Sequence, residues 1–134
     1  MAAQNPYDKF RNDVIFTASK EELTLMLYDG ALKFCNQAII AIENKDVSRA
    51  NDMIIRVENI IREFQLTLNR DYEISQYFDS MYAYIFERLL DANMKKDAEI
   101  LEEVRGFIRE LRDTWKDAMK LAKSSPTPTP APHA

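Results

Sequence analysis

An antiparallel, up-down four-helix bundle of the all-α class is predicted by three features of this sequence. Glycine occurs twice in 134 residues, proline is absent from residues 7 to 125, and apolar residues recur at helical spacing. Four valines stand against eleven leucines and fourteen alanines, which tilts the chain away from strand. A sandwich or a doubly wound sheet needs more turn residues than these. The length suits one domain, able to bury roughly 65–70% of its unfolded surface.

Each helix has its own start signal. Ser19 followed by Glu22 reads as a capping box and opens a helix from about Lys20 to Glu43. Asn44-Lys45-Asp46 is a polar break, with Asp46 the N-cap of a second helix to about Asn69. Arg70-Asp71-Tyr72-Glu73 separates it from a third, about Ile74 to Asn93, and Asp97 caps a fourth, to about Lys123. Such short connections make consecutive helices antiparallel. The bundle domain is thus residues 1–123, including an N-terminal arm or short helix over 1–18 that carries Tyr7, Phe10, Val14 and Ile15. Residues 124–134 (SSPTPTPAPHA) have no periodicity and read as a disordered, PPII-like tail without a docking role.

The apolar faces differ between helices. The fourth has one stripe, from Ile100 and Leu101 through Val104, Ile108 and Leu111 to Trp115 and Met119, over an arc of about 120°. The second is similar, with Met53, Ile54, Val57, Ile61 and Phe64 on one face, while Ile55 and Leu66 fall together on the other side. The third has a seam of Phe78, Met81, Ile85 and Leu89, flanked by Tyr82, Phe86 and Leu90 on one side. In the first helix Leu23, Leu27, Gly30, Phe34, Ala38 and Ala41 form one seam, and Leu25, Tyr28, Leu32, Cys35 and Ile39 lie nearly opposite. Two readings of that second stripe stand: the first helix is central and covered all round, or part of the stripe is a groove for an apolar partner. Gly30 in mid-helix points to close packing, and Gly106 has no physical account.

Composition removes several functions. One cysteine excludes an intrachain disulfide and a multi-cysteine zinc site. The single histidine, His133, lies in the tail, so a Ser-His-Asp triad and the Glu-x-x-His ligands of carboxylate di-iron bundles are not expected in the folded part. A net charge of −4 argues against nucleic acid. No apolar run reaches the ~20 residues of a membrane span and no signal peptide is seen, so a soluble cytoplasmic protein is expected. Cys35 reads as a packing residue, Arg88 as ion-paired or snorkelling, and Glu102–Glu103 as part of a solvated face.

The stretch from Thr17-Ala18-Ser19 through Glu22-Leu23-Thr24-Leu25-Met26-Leu27-Tyr28-Asp29-Gly30 to Phe34 resembles the signature of the FliS family of flagellar secretion chaperones. So do Asn5-Pro6-Tyr7, the Arg88-Leu89-Leu90-Asp91-Ala92-Asn93 run with Asp97, and Arg112-Asp113-Thr114-Trp115. Departures are small: Lys20 stands where the family often has proline, and Lys96 where it often has asparagine. The resemblance implies a cytosolic chaperone that is not an enzyme and uses no cofactor or metal. It binds the disordered C-terminal segment of flagellin, prevents premature polymerisation and supports delivery to the flagellar export gate.

The partner-binding residues expected on this basis are Tyr7, Phe10, Leu25, Tyr28, Leu32, Ile39, Tyr82 and Phe86, with the arm acting as a movable cover. Neither nucleic acid nor membrane insertion is expected, and the chain is a monomer or a weak homodimer. Two other readings compete. One is a self-associating structural bundle; the other is a small mutase-type enzyme, which the apolar inward seams disfavour.

Overall fold

The computed structural model describes residues 19–124 together with His133, apart from the side chains of residues 122–124. Four helices make up the described residues: α1, Lys20–Glu43; α2, Val47–Thr67; α3, Ser75–Lys95; and α4, Ala98–Ser124. The expected arm over 1–18 lies outside the described residues, as does the expected tail except for Ser124, the last residue of α4, and His133.

Local chemistry sets the boundaries. The Ser19 hydroxyl accepts the Glu22 N–H at 3.2 Å, the Asp46 carboxylate accepts the Arg49 N–H at 3.1 Å, and Asp97 accepts the Glu99 N–H at 2.9 Å. Each satisfies a backbone donor that the first helical turn leaves free. The α1–α2 and α3–α4 turns are tight, and each places a lysine in left-handed backbone: Lys45 at φ 60° and Lys96 at φ 51°. The second is the position where the resembling family often has asparagine, the residue that adopts this conformation at least cost after glycine. Between α2 and α3 the connection runs over residues 68–74, longer than the sequence suggests, because α2 stops at Thr67. There the Ser75 hydroxyl donates to the Asn69 carbonyl and Arg70 pairs with Asp79 at 2.9 Å.

The helices pack in a ring, α1 on α2, α2 on α3, α3 on α4 and α4 on α1. Helices α1 and α3 therefore stand diagonally, and they meet through the Tyr28 and Tyr82 hydroxyls, 2.5 Å apart. One core joins all four, from Ile54, Val57 and Ile61 on α2 to Ile85 and Leu89 on α3 and Leu101, Val104, Ile108 and Leu111 on α4.

Helix α1 corrects the two-stripe reading. Its buried face lies between the two stripes and is made of Thr24, Tyr28, Ala31, Cys35 and Ala38. Small side chains there let α1 sink into the groove between α2 and α4, so both stripes become flanks of one broad buried arc. On the α2 side, Ile60 reaches Gly30 and Arg56 covers the Phe34 ring at 5.4 Å. On the α4 side, Arg105 donates to Asn36 at 2.8 Å, Arg112 bonds Asp29, and the Cys35 thiol donates to the Leu101 carbonyl at 3.3 Å. Burial pushes the Cys35 thiol up to about 12, in keeping with a packing role.

The glycines also read differently in three dimensions. A Cβ on Gly30 would meet Ile60 at 3.8 Å, an ordinary contact, so close packing does not require this glycine. Gly106 faces open space.

Candidate functional sites

Three of the expected partner-binding residues are core. Tyr28, Ile39 and Tyr82 are buried, and no partner can reach their side chains in this conformation. Leu25, Leu32 and Phe86 are half-buried and pack against the core cluster. Tyr7 and Phe10 lie outside the described residues. The expected open groove on α1 is accordingly closed over most of its length.

Exposed apolar surface concentrates elsewhere, along the outer side of the α2–α3 seam. Ile55 is 38% exposed, Leu66 76%, Leu90 47% and Met94 80%. The register of the seam follows from two contacts: Asn93 donates to Asn51 at 3.0 Å, and the Arg62 guanidinium lies 4.9 Å from the Phe86 ring centre. Antiparallel helices in that register bring Ile55 level with Leu90, while Phe86 sits half-buried beneath Arg62. The result is an apolar strip with an arginine at its middle. Placing Ile55 and Leu66 off the core stripe of α2 was the available sequence signal; the contribution of Leu90 and Met94 needs the register.

A second feature opens at the end of the bundle where α1 and α3 begin and α2 and α4 near their ends. Here the core is aromatic: Phe64 stacks on Tyr28 at 4.4 Å and on Tyr82 at 5.4 Å, with Phe78 and Trp115 beside them. The Trp115 indole N–H donates to the Glu21 carbonyl at 3.2 Å and ties α4 to the start of α1. Large rings hold the helices apart, and a cleft of about 440 Å³ remains, lined by Lys20, Leu23, Leu27, Glu63, Thr67 and His133. His133, expected to lie away from the bundle, is buried in this cleft. Burial drives both tyrosine hydroxyls well above their ordinary pKa, so they are neutral donors and acceptors.

On the α3–α4 side a polar cluster replaces the expected solvated face at Glu103. Its carboxylate accepts the Tyr84 hydroxyl at 2.5 Å and the Arg88 guanidinium at 3.2 Å, and Arg88 also pairs with Asp91 at 3.1 Å. The Tyr84 hydrogen bond, reinforced by Arg88, lowers the Glu103 pKa. The Tyr84 ring meets Phe107 edge-on at 5.6 Å. Arg88 is ion-paired, as expected, and these groups brace two helices.

A four-helix scaffold with a closed core and an apolar strip left open is built as a binding module. Among the described residues, no helix is long and apolar enough to cross a membrane, and no group of three or more His, Cys, Asp or Glu side chains is placed to hold a metal ion. Comparison with known proteins gives the class its family. The family model "Flagellar protein FliS" matches residues 3–122. The flagellar secretion chaperone FliS of Bacillus subtilis is 47% identical over 120 residues, covering 90% of this chain and 90% of the relative. The Salmonella typhimurium protein of the same name is 31% identical over 105 residues, 76% of this chain and 78% of the relative. The Escherichia coli one is 28% identical over 108 residues. This chain belongs to the FliS family, a family of flagellar secretion chaperones rather than of enzymes.

Proposed function

We propose that this protein is a cytosolic chaperone that binds the disordered C-terminal segment of flagellin, keeps it from polymerising and supports its passage to the export gate. The observation that carries this reading is the open apolar strip of Ile55, Leu66, Leu90 and Met94 on a chain of the FliS family. An amphipathic client segment lays its apolar side along the strip and orders as it binds. Apolar burial at ~25 cal/mol/Å² drives the association, reduced by the entropy of ordering the client. Arg62 and half-buried Phe86 form the centre of the contact, and Leu25 and Leu32 add apolar surface on the α4 side of α1 where a client wraps further.

The proposed activity needs no bond-making residue; sequestering the sticky face of the client is the whole mechanism. Tyr7 and Phe10 complete the proposal as a cover that the client displaces. Calorimetry with the isolated flagellin C-terminal segment tests it: saturable one-to-one binding is expected, and a soluble cognate segment that gives no heat and no co-elution would overturn it.

A further inference from the structure

The imidazole of His133 is held on every side. Its Nδ1 lies 3.1 Å from the Thr67 hydroxyl and its Nε2 lies 2.9 Å from the Tyr82 hydroxyl. The ring packs against Phe64 at 5.4 Å, Trp115 at 5.7 Å and Phe78 at 6.3 Å. Donor bookkeeping fixes the proton positions. Thr67 spends its one proton on the Glu63 carbonyl at 3.0 Å, so it can only accept from Nδ1–H. A neutral ring then presents a bare Nε2, which accepts the Tyr82 O–H, and Tyr82 in turn accepts from Tyr28. Four helices contribute to one directed chain of hydrogen bonds and one set of ring contacts.

We propose that this cleft is a binding site for a neutral imidazole ring, and that the chain fills it with its own His133 as a plug over the aromatic end of the core. The family match stops at residue 122, so the plug belongs to a segment outside the part shared with the family model. Its reach is sufficient. The nine steps from Ser124 to His133 span at most ~30 Å, against roughly 14 Å of helix between Trp115 and Ser124.

Protonation works against the plug. An imidazolium would turn an N–H toward Tyr82, reverse the tyrosine chain and bury a cation. Burial accordingly drives the His133 pKa from 6.5 down to about 4, and the Thr67 contact offsets only a little of this. The charged and titratable groups facing the ring are Lys20 and Tyr28 from α1, Glu63 from α2 and Tyr82 from α3, while α4 offers the Trp115 indole. Because the docked pKa is depressed, docking is at full strength above pH ~6.5 and is lost progressively as pH falls toward ~4. Between pH 7.5 and 5.5 the docking equilibrium should weaken about tenfold.

One histidine and one tryptophan make the test direct. The His133 ring resonances and Trp115 emission are followed from pH 4 to 8 in the full chain, in His133→Ala and in Thr67→Val. The expected result is a His133 midpoint at least one pH unit below 6.5, tracked by Trp115 emission in the unmodified chain and absent in His133→Ala. Thr67→Val should raise the midpoint toward 6.5. Free imidazole at pH 8 should bind His133→Ala saturably and return its emission toward that of the unmodified chain. A midpoint at 6.5, with identical emission in the two proteins, would overturn docking. Failure of imidazole to bind the vacated cleft would overturn the site.

Discussion

The two ends of the bundle are built on opposite principles. Where α1 and α3 end, the core is aliphatic and small: Ala38, Ala41, Ala50 and Ala92 are buried beside Met53, Ile54, Leu89 and Leu101. Where α1 and α3 begin, it is aromatic and partly polar: Tyr28, Phe64, Phe78, Tyr82 and Trp115, with Thr24, Ser75 and His133. Small residues let backbones approach and leave no room for a ligand. Rings hold the helices apart, and their hydroxyls must then be satisfied, because a buried hydroxyl without a partner costs about 1–3 kcal/mol. The difference teaches that the cleft is a consequence of core composition, and that hydrogen-bonding specificity in this fold is confined to one end.

The largest expected effect tests the aromatic end. Trp115→Ala should cost about 3–5 kcal/mol in denaturant unfolding, through lost burial and a cavity beside the cleft. A loss below ~1 kcal/mol would mean that the rings are loosely packed and the contrast between the ends is illusory. Tyr82→Phe comes next, at about 1–3 kcal/mol, because it removes the hydroxyl that joins Tyr28 to His133 without changing ring packing. The aliphatic end should respond to added volume instead: Ala38→Leu should cost about 1–3 kcal/mol by overpacking. A neutral outcome there would show spare space and erase the difference. The smallest effect is a gain. Gly106→Ala should stabilise by up to ~1 kcal/mol, since its Cβ enters open space on a helix.

The sequence carried the four helices because their caps are local: Ser19, Asp46 and Asp97 each act within three residues. It also carried the single core stripes of α2 and α4. It misjudged the second stripe of α1, since angular position around a helix does not say how deeply small residues such as Ala31 and Ala38 let that helix sink. Ile39 was expected on a partner surface and lies in the core for this reason. His133 left no trace in the pattern at all. A ring that meets Thr67, Tyr82 and Trp115 across long stretches of chain makes no periodicity, and its surroundings are proline and threonine.

The central claim is that client binding lives on the outer α2–α3 strip while the core stays closed. Calorimetry of the flagellin C-terminal segment against the Leu66→Asp, Leu90→Asp double variant, beside thermal unfolding of the same variant, tests it most directly. Both side chains are largely in water, so the account predicts a melting temperature close to that of the unmodified chain and affinity weakened at least about tenfold, or about 1.4 kcal/mol. Unchanged affinity in a stably folded double variant would contradict it.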